Sequence, residues 1–359
     1  MEFDTLAMLI KLVLVLVILL QVVPIMVWVE RRGSALMQNR LGPNRLGPLG
    51  LFQSIADVIK FFFKEDPIPG HVSPFYYVMA PWISIIPAFM TFAVIPFASG
   101  IHLGDHYVNF QVADLNVGLL YIFSVASLGV YGIIMAGWSS NNKYALLGSL
   151  RSSSQMISYE LSMGLAAVGV IMVYSSLHLQ DINYAQGEWF HPFGLAMITL
   201  PKWGIFVQPF GFLIFLTAVF AETNRLPFDL PEGESEIVAG YHLEYGSMKM
   251  ALFFMAEYIN MTTASGLLAT LYFGGWHGLG WVQHFLPFTG MTMEWIRVLL
   301  EMTAFALKVT FFMWFFVWVR WTIPRFRYDQ LMDLGWKVML PLSLLNIFGT
   351  ACFMYMGWI

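Results

Sequence analysis

The sequence predicts an all-α integral membrane protein of about eight transmembrane helices, and three observations carry that expectation. Of 359 residues 58% are hydrophobic and 17% aromatic, with a mean hydropathy of +0.68; an ordinary soluble domain is roughly 45–50% apolar. The apolar residues come as long continuous runs, not as alternating segments of about ten residues, which excludes an outer-membrane barrel. Charged residues, 11% of the chain, are gathered into a few loops and helix ends.

Runs long enough to cross about 30 Å of hydrocarbon are Leu6–Val29, Phe75–Phe97, Val117–Trp138, Gln155–Tyr174, Trp203–Ala221, Met250–Phe273, Glu294–Val319 and Leu334–Gly357. The first has no basic n-region and no small-residue cleavage site before or after it, so it is expected to be a retained span and not a signal peptide. After it, Leu41-Gly42-Pro43 and Leu46-Gly47-Pro48 are turn signals, since Gly and Pro break helix and fix bends. Leu51, Phe52, Ile55, Val58, Ile59, Phe62 and Phe63 then recur at helical spacing with Gln53, Asp57, Lys60 and Lys64 off the stripe. This predicts an amphipathic helix, lying at the interface or capping a cavity. It ends at Asp66-Pro67-Ile68-Pro69-Gly70. No low-complexity segment or short-period repeat divides the chain, so residues 1–359 are expected to form a single membrane domain.

The bases separate by side. Arg31, Arg32, Arg40, Arg45, Lys60, Lys64, Lys143, Arg151, Arg225, Lys249, Arg320, Arg325 and Arg327 fall in loops of one side, and the other side's loops hold only Lys202. The positive-inside rule makes the basic side cytoplasmic or matrix-facing and puts both termini outside. A formal charge of −4 gives no ground for nucleic-acid binding, and the single cysteine, Cys352, excludes an intrachain disulfide, a CxxC pair or a cluster held by this chain's own thiolates. There is no GxxxxGK[ST], no GxGxxG after a strand and no Ser-His-Asp candidate.

The most informative stretch lies between Ala221 and Glu257, where Glu222, Asp229, Glu232, Glu234, Glu236, Glu244 and Glu257 stand between strongly apolar helices. A solvated surface turn is one reading. Against it, Glu222 and Glu257 fall at or inside the ends of apolar runs, and Pro227 and Pro231 stiffen the loop. Closely spaced carboxylates in a low-dielectric site do not all ionise, so some hold protons and exchange them as local charge changes. Arg225, a lone arginine among these acids, is expected to hold the loop by bidentate pairing.

Other constellations stay open. Glu160, early in the fourth span beside Ser158, Tyr159 and Ser162, is either a structural pin paired with a base on another helix or a member of a proton relay. Glu30-Arg31-Arg32 closes the first span; Arg32 reads as an ordinary anchor, whereas Arg31 is placed to line a cavity mouth. Arg297, Glu301 and Lys308 are spaced for intrahelical pairing, and Lys308 lies deep enough to need a partner or water. His102-Leu103-Gly104-Asp105-His106 is half a metal site at most, because such sites need about four ligands.

Taken together, these motifs make the chain resemble the H subunits of proton-pumping NADH:quinone oxidoreductases, the respiratory complex I of bacteria and mitochondria. The matching stretches are Glu30-Arg31-Arg32 through Gly42-Pro43-Asn44, Phe52 to Glu65, Ser158-Tyr159-Glu160, Ala221 to Glu236, Phe253 to Tyr258, and Pro324 to Gln330, in the family's order. The resemblance implies eight spans, the second to sixth packed like the five-helix unit of antiporter-like proteins. It implies inside loops that wall a ubiquinone chamber against peripheral subunits, and neighbouring membrane subunits beside it. NADH, FMN and iron–sulfur clusters would belong to the partner subunits, and the setting would be a bacterial inner membrane or an organelle's. By motif, Arg31, Arg225, Phe254, Met255 and Arg320 would line the quinone chamber and its entrance. Asp57, Asp229, Glu232, Glu234, Glu236 and Glu244 would link that chamber to a buried path begun by Glu160, Glu222 and Glu257. Rival readings are a membrane subunit of an energy-converting hydrogenase, which keeps the acids without quinone, and a stand-alone cation/proton transporter.

Overall fold

The computed structural model describes residues 2–103, 106–191, 199–230, 237–279, 282 and 291–358. Helix α1 (Glu2–Met37) is followed by α2 (Gln53–Phe63), α3 (Pro74–Phe92), an antiparallel hairpin of β1 (Ala98–Leu103) and β2 (His106–Phe110), then α4 (Gly118–Ser139) and α5 (Lys143–Tyr174). A short α6 (Leu179–Gln186) and a two-residue ladder of β3 (Trp189–Phe190) with β4 (Leu200–Pro201) lead to α7 (Gly204–Val207) and α8 (Pro209–Glu222). Beyond the acidic loop come α9 (Ser247–Tyr272), α10 (Met291–Thr322), α11 (Tyr328–Asp333) and α12 (Leu340–Tyr355), the last two joined by the π-helical turn Leu334–Met339.

Among the described residues six helical stretches are long and apolar enough to cross a membrane: Thr5–Met37, Pro74–Phe92, Gly118–Ser139, Lys143–Tyr174, Met291–Thr322 and Tyr328–Tyr355. Each coincides with an expected run. The fourth begins at Lys143 and not at Gln155, because Asn142 caps it by accepting the Tyr144 N–H at 3.0 Å. The second stops at Phe92 and not Phe97, since the chain turns there into the hairpin.

The two other expected runs are helical but depart from a simple span. The fifth breaks at Gln208 (φ −133°, ψ 56°), where Pro209 starts a new helix of 14 residues. Proline lacks the N–H that would continue the preceding ladder. The sixth, α9, runs 26 residues but carries Lys249, Glu257, Asn260 and several Ser and Thr. It is polar because it lies in the interior, with Leu252, Ile259, Leu267, Leu268 and Leu271 all buried.

Packing between helices relies on small residues. A Cβ on Gly132 of α4 would come within 2.2 Å of Ser84 Oγ on α3, so only glycine permits the approach of these two helices. Apolar residues left exposed, such as Leu9, Val13 and Val17 on α1 and Leu307 and Phe311 on α10, form the outer face of the bundle. On α2, Ile55, Val58, Ile59, Phe62 and Phe63 are likewise exposed.

Candidate functional site

At one end of the bundle, α1, α2, α9, the end of α10 and the start of the acidic loop enclose a cavity of about 530 Å³. Val23, Pro24 and Val27 of α1, Val58 and Phe61 of α2, and Met248, Phe254 and Met255 of α9 give it apolar walls. Its polar wall centres on Glu30. Glu30 is 8% exposed, and a carboxylate buried so far is stable only when opposed by charge and hydrogen bonds. Arg225 Nη1 donates to Glu30 Oε1 at 3.2 Å, Arg320 Nη1 donates to the same oxygen, and the Tyr258 hydroxyl donates to Oε2. The Arg225 guanidinium also sits 4.4 Å from the centre of the Tyr258 ring. Around Glu30 two guanidiniums face one carboxylate, while over the whole cavity Arg31, Arg40, Arg225 and Arg320 are matched in number by Glu30, Asp57, Asp229 and Glu257.

Arg225 makes an ion pair with Glu30 at the end of the first span, a partner outside the acidic loop itself. Within the described part of that loop, Asp229 pairs with Arg325 at 3.3 Å. At the cavity's edge Arg31 Nη1 meets Asp57 Oδ2 at 2.5 Å, joining α1 to α2. Arg32 points away and donates to the Pro43 carbonyl.

Glu257 lines this cavity and also a second, of about 30 Å³, that it shares with Glu222, Thr223, Asn224 and Asn260. Glu222, Thr223 and Asn260 in turn border a third, of about 40 Å³, reaching Thr91 and Thr263. Both are large enough to hold a water, which takes about 10–15 Å³ by this measure. Glu257 accepts a hydrogen bond from the Tyr241 hydroxyl at 3.0 Å.

Glu160 lies within electrostatic reach of Glu222. Its carboxylate meets Ser127 Oγ, which also lies 2.8 Å from the Phe123 carbonyl. No ion pair joins Glu160 to a base among the described residues, and its partner there is the Ser127 hydroxyl.

Arg31, Asp57, Arg225, Asp229, Phe254, Met255, Glu257 and Arg320 thus share one cavity, and Glu222 stands just inward of it. Glu244 does not join them; it accepts from Asn142 Nδ2 at 2.8 Å and faces His71 at 3.6 Å. Glu232, Glu234 and Glu236 lie outside the described residues. Glu30 and Tyr258 stand in motifs that the sequence singles out, Glu30-Arg31-Arg32 and Phe253 to Tyr258, but the sequence reading gives neither a place in the site.

The remaining motifs resolve locally. Arg297 bridges Glu294 at 2.9 Å and Glu301 at 3.8 Å, whereas Lys308 gives its protons to the carbonyls of Phe273 (2.7 Å), Gly275 (2.8 Å) and His277 and lies over the Trp203 ring. His102 and His106 sit on the two strands of the hairpin, with Gly104 and Asp105 outside the described residues.

The chain is thus a helical membrane protein with a largely apolar cavity whose polar side holds guanidiniums beside buried carboxylates. The chain is a member of the NADH dehydrogenase family, whose match spans residues 10–351. It is 46% identical over 376 aligned residues to the H-type subunit of the NADH-quinone oxidoreductase of Bdellovibrio bacteriovorus, covering 97% of this chain and 96% of that one. It is 46% identical to the second such subunit from Koribacter versatilis, covering 96% of each. Against the corresponding subunit from Salinibacter ruber it is 47% identical, covering 90% of this chain and 88% of the other.

Proposed function

We propose that this chain is the H-type subunit of a proton-pumping NADH:quinone oxidoreductase, that its large cavity admits the quinone, and that its buried carboxylates pass the resulting charge change into the membrane. The observation that carries the reading is the single cavity bounded by Arg31, Arg225, Phe254, Met255 and Arg320, with Glu257 in its wall and Glu222 behind. An apolar passage beside α1 and α9 suits a long isoprenoid tail, and the guanidinium and hydroxyl donors around Glu30 suit a carbonyl headgroup.

In this reading α8 and α9 complete a set of eight spans, the second to sixth forming an antiporter-like unit. Both termini face outside, and the chain resides in a bacterial or organellar inner membrane. Electrons reach the quinone from an iron–sulfur cluster on a peripheral subunit, as NADH and FMN also belong to partners. Reduction of a quinone to its quinol takes up two electrons and two protons. The chain's own residues orient the headgroup, keep the site dry and answer the proton demand. Asp57 and Asp229 line the chamber, the loop acids Glu232, Glu234 and Glu236 are assigned to the same link by motif alone, and Glu257, Glu222 and Glu160 lead inward. A hydrogenase subunit or a lone exchanger would use the acids without the apolar passage, and the family match favours neither.

Met255→Trp tests this directly. Narrowing the passage is expected to slow reduction of long-tailed quinone about tenfold more than that of a short-tailed analogue, a difference of about 1.4 kcal/mol in barrier. NADH oxidation by artificial acceptors should be unchanged. Equal inhibition with both quinones would place Met255 outside the passage.

A further inference from the structure

At the opposite end of α1 from the cavity, His178 stands between two carboxylates. It precedes α6 in the turn from α5, and it is the residue at which that helix begins. Its Nε2 meets Asp114 Oδ1 in the segment between β2 and α4, and its Nδ1 lies 3.0 Å from Asp181 Oδ1, in the first turn of α6. Both carboxylates are anchored by other donors. Asp114 accepts Gln111 Nε2 at 2.7 Å and Asn109 Nδ2 at 2.9 Å, and Asp181 Oδ2 accepts Ser176 Oγ at 3.1 Å. The Ser176 hydroxyl oxygen accepts the His178 backbone N–H at 3.0 Å, which fixes the turn that presents the ring.

A neutral imidazole carries one N–H and one lone pair, whereas an ionised carboxylate offers only acceptors. With a carboxylate at each ring nitrogen, a neutral ring sets a lone pair against an oxygen at one of the two contacts. Both contacts are attractive only in the imidazolium. We propose that Asp114, His178 and Asp181 form a proton-operated latch, which ties the β2–α4 segment to the start of α6 while the imidazole holds its second proton and lets go when that proton leaves.

The charged groups facing the ring are Asp114 from the β2–α4 segment, Asp181 from α6 and, beyond Asp114, Lys11 of α1. Lys11 Nζ donates to the Asn109 carbonyl at 3.1 Å, so α1 joins the same cluster. Partial burial of the ring opposes its charge, but the hydrogen bonds and charges of Asp114 and Asp181 outweigh this and raise its pKa above the ordinary 6.5. The latch is therefore fully closed below the ordinary imidazole range, and its contribution is lost as pH rises through the raised value. The ordinary readings of this end of the molecule, as passive loops, give it no such dependence. The proposal does not rest on the quinone reading.

Hydrogen exchange on the intact purified assembly, read in peptides covering residues 175–187, is the test. Labelling times are scaled to remove the intrinsic pH dependence of exchange, and pH is taken from 6 to 9.5. Wild type should show about tenfold slower exchange here than His178→Gln at pH 6, the scale of local opening equilibria, and converge on it as pH rises. Asp181→Asn should move that convergence to lower pH, because it removes one of the charges that hold the proton. Should His178→Gln fail to assemble, the wild-type pH course and the Asp181→Asn shift decide alone. Protection in wild type that does not change with pH, or a shift absent in Asp181→Asn, overturns the latch.

Discussion

Glu30 governs the chemistry of the cavity wall because it is the one carboxylate on which Arg225, Arg320 and Tyr258 all converge. Arg225→Lys keeps the charge but loses the planar group that both reaches Glu30 and covers the Tyr258 ring. We expect the variant to assemble with quinone turnover lowered about tenfold. Arg225→Ala leaves Glu30 with Arg320 and Tyr258 still in place. Its cost is accordingly about 1–3 kcal/mol, that of a buried group deprived of one partner, and not the roughly 3–5 kcal/mol of a broken buried pair with no substitute. Thermal unfolding of the purified assembly and its NADH:quinone activity measure both. Wild-type behaviour of Arg225→Lys would return Arg225 to the role of a simple inside anchor. The family resemblance implied that Arg225, Arg320, Phe254 and Met255 are neighbours. The partner of Arg225 was not legible, since Glu30 is nearly two hundred residues distant and nothing local links an arginine in one loop to the end of another helix.

The break in the fifth run shows what helix periodicity conceals. Gln208 is buried at the gap between α7 and α8, and its amide is saturated by tertiary partners: it donates to Thr350 Oγ1 at 2.5 Å and Gly169 O at 3.3 Å and accepts Asn346 Nδ2 at 2.9 Å. Gly169 and Gly211 leave room for that cluster, since a Cβ at either would fall within 3 Å of the Gln208 amide oxygen. A polar side chain in an apolar run is tolerable at this depth because α5 and α12 meet its donors and acceptors. Gln208→Leu should lower stability by about 1–3 kcal/mol, chiefly by leaving Asn346 and Thr350 unsatisfied. The midpoint of thermal unfolding checks this, and an unchanged midpoint would mean that water replaces the amide. Hydropathy located the run because its apolar residues dominate any window. It was blind to the break, whose signals are a single proline and a glutamine whose partners lie on other helices.

At the scale of the whole molecule, the arginine-walled cavity, the two small cavities behind it and the acids at their junctions lie in sequence from the bundle's end into its interior. The sequence made the acids conspicuous because charge is rare in this chain. It did not reveal that Glu257 and Glu222 each border two adjoining cavities, which depends on how α3, α5, α8 and α9 pack. The central claim is that these carboxylates transmit the quinone's proton demand, and Glu222→Gln addresses it most directly, since the amide keeps the shape and removes titration. The decisive measurement is proton translocation during NADH:quinone turnover in sealed vesicles containing the fully assembled variant, with NADH oxidation by an artificial acceptor as the internal standard. The account predicts that the artificial-acceptor rate is unchanged while quinone-linked turnover and proton translocation fall together by about tenfold or more, the scale on which loss of a proton-transfer group acts. Wild-type translocation and turnover in Glu222→Gln would contradict it.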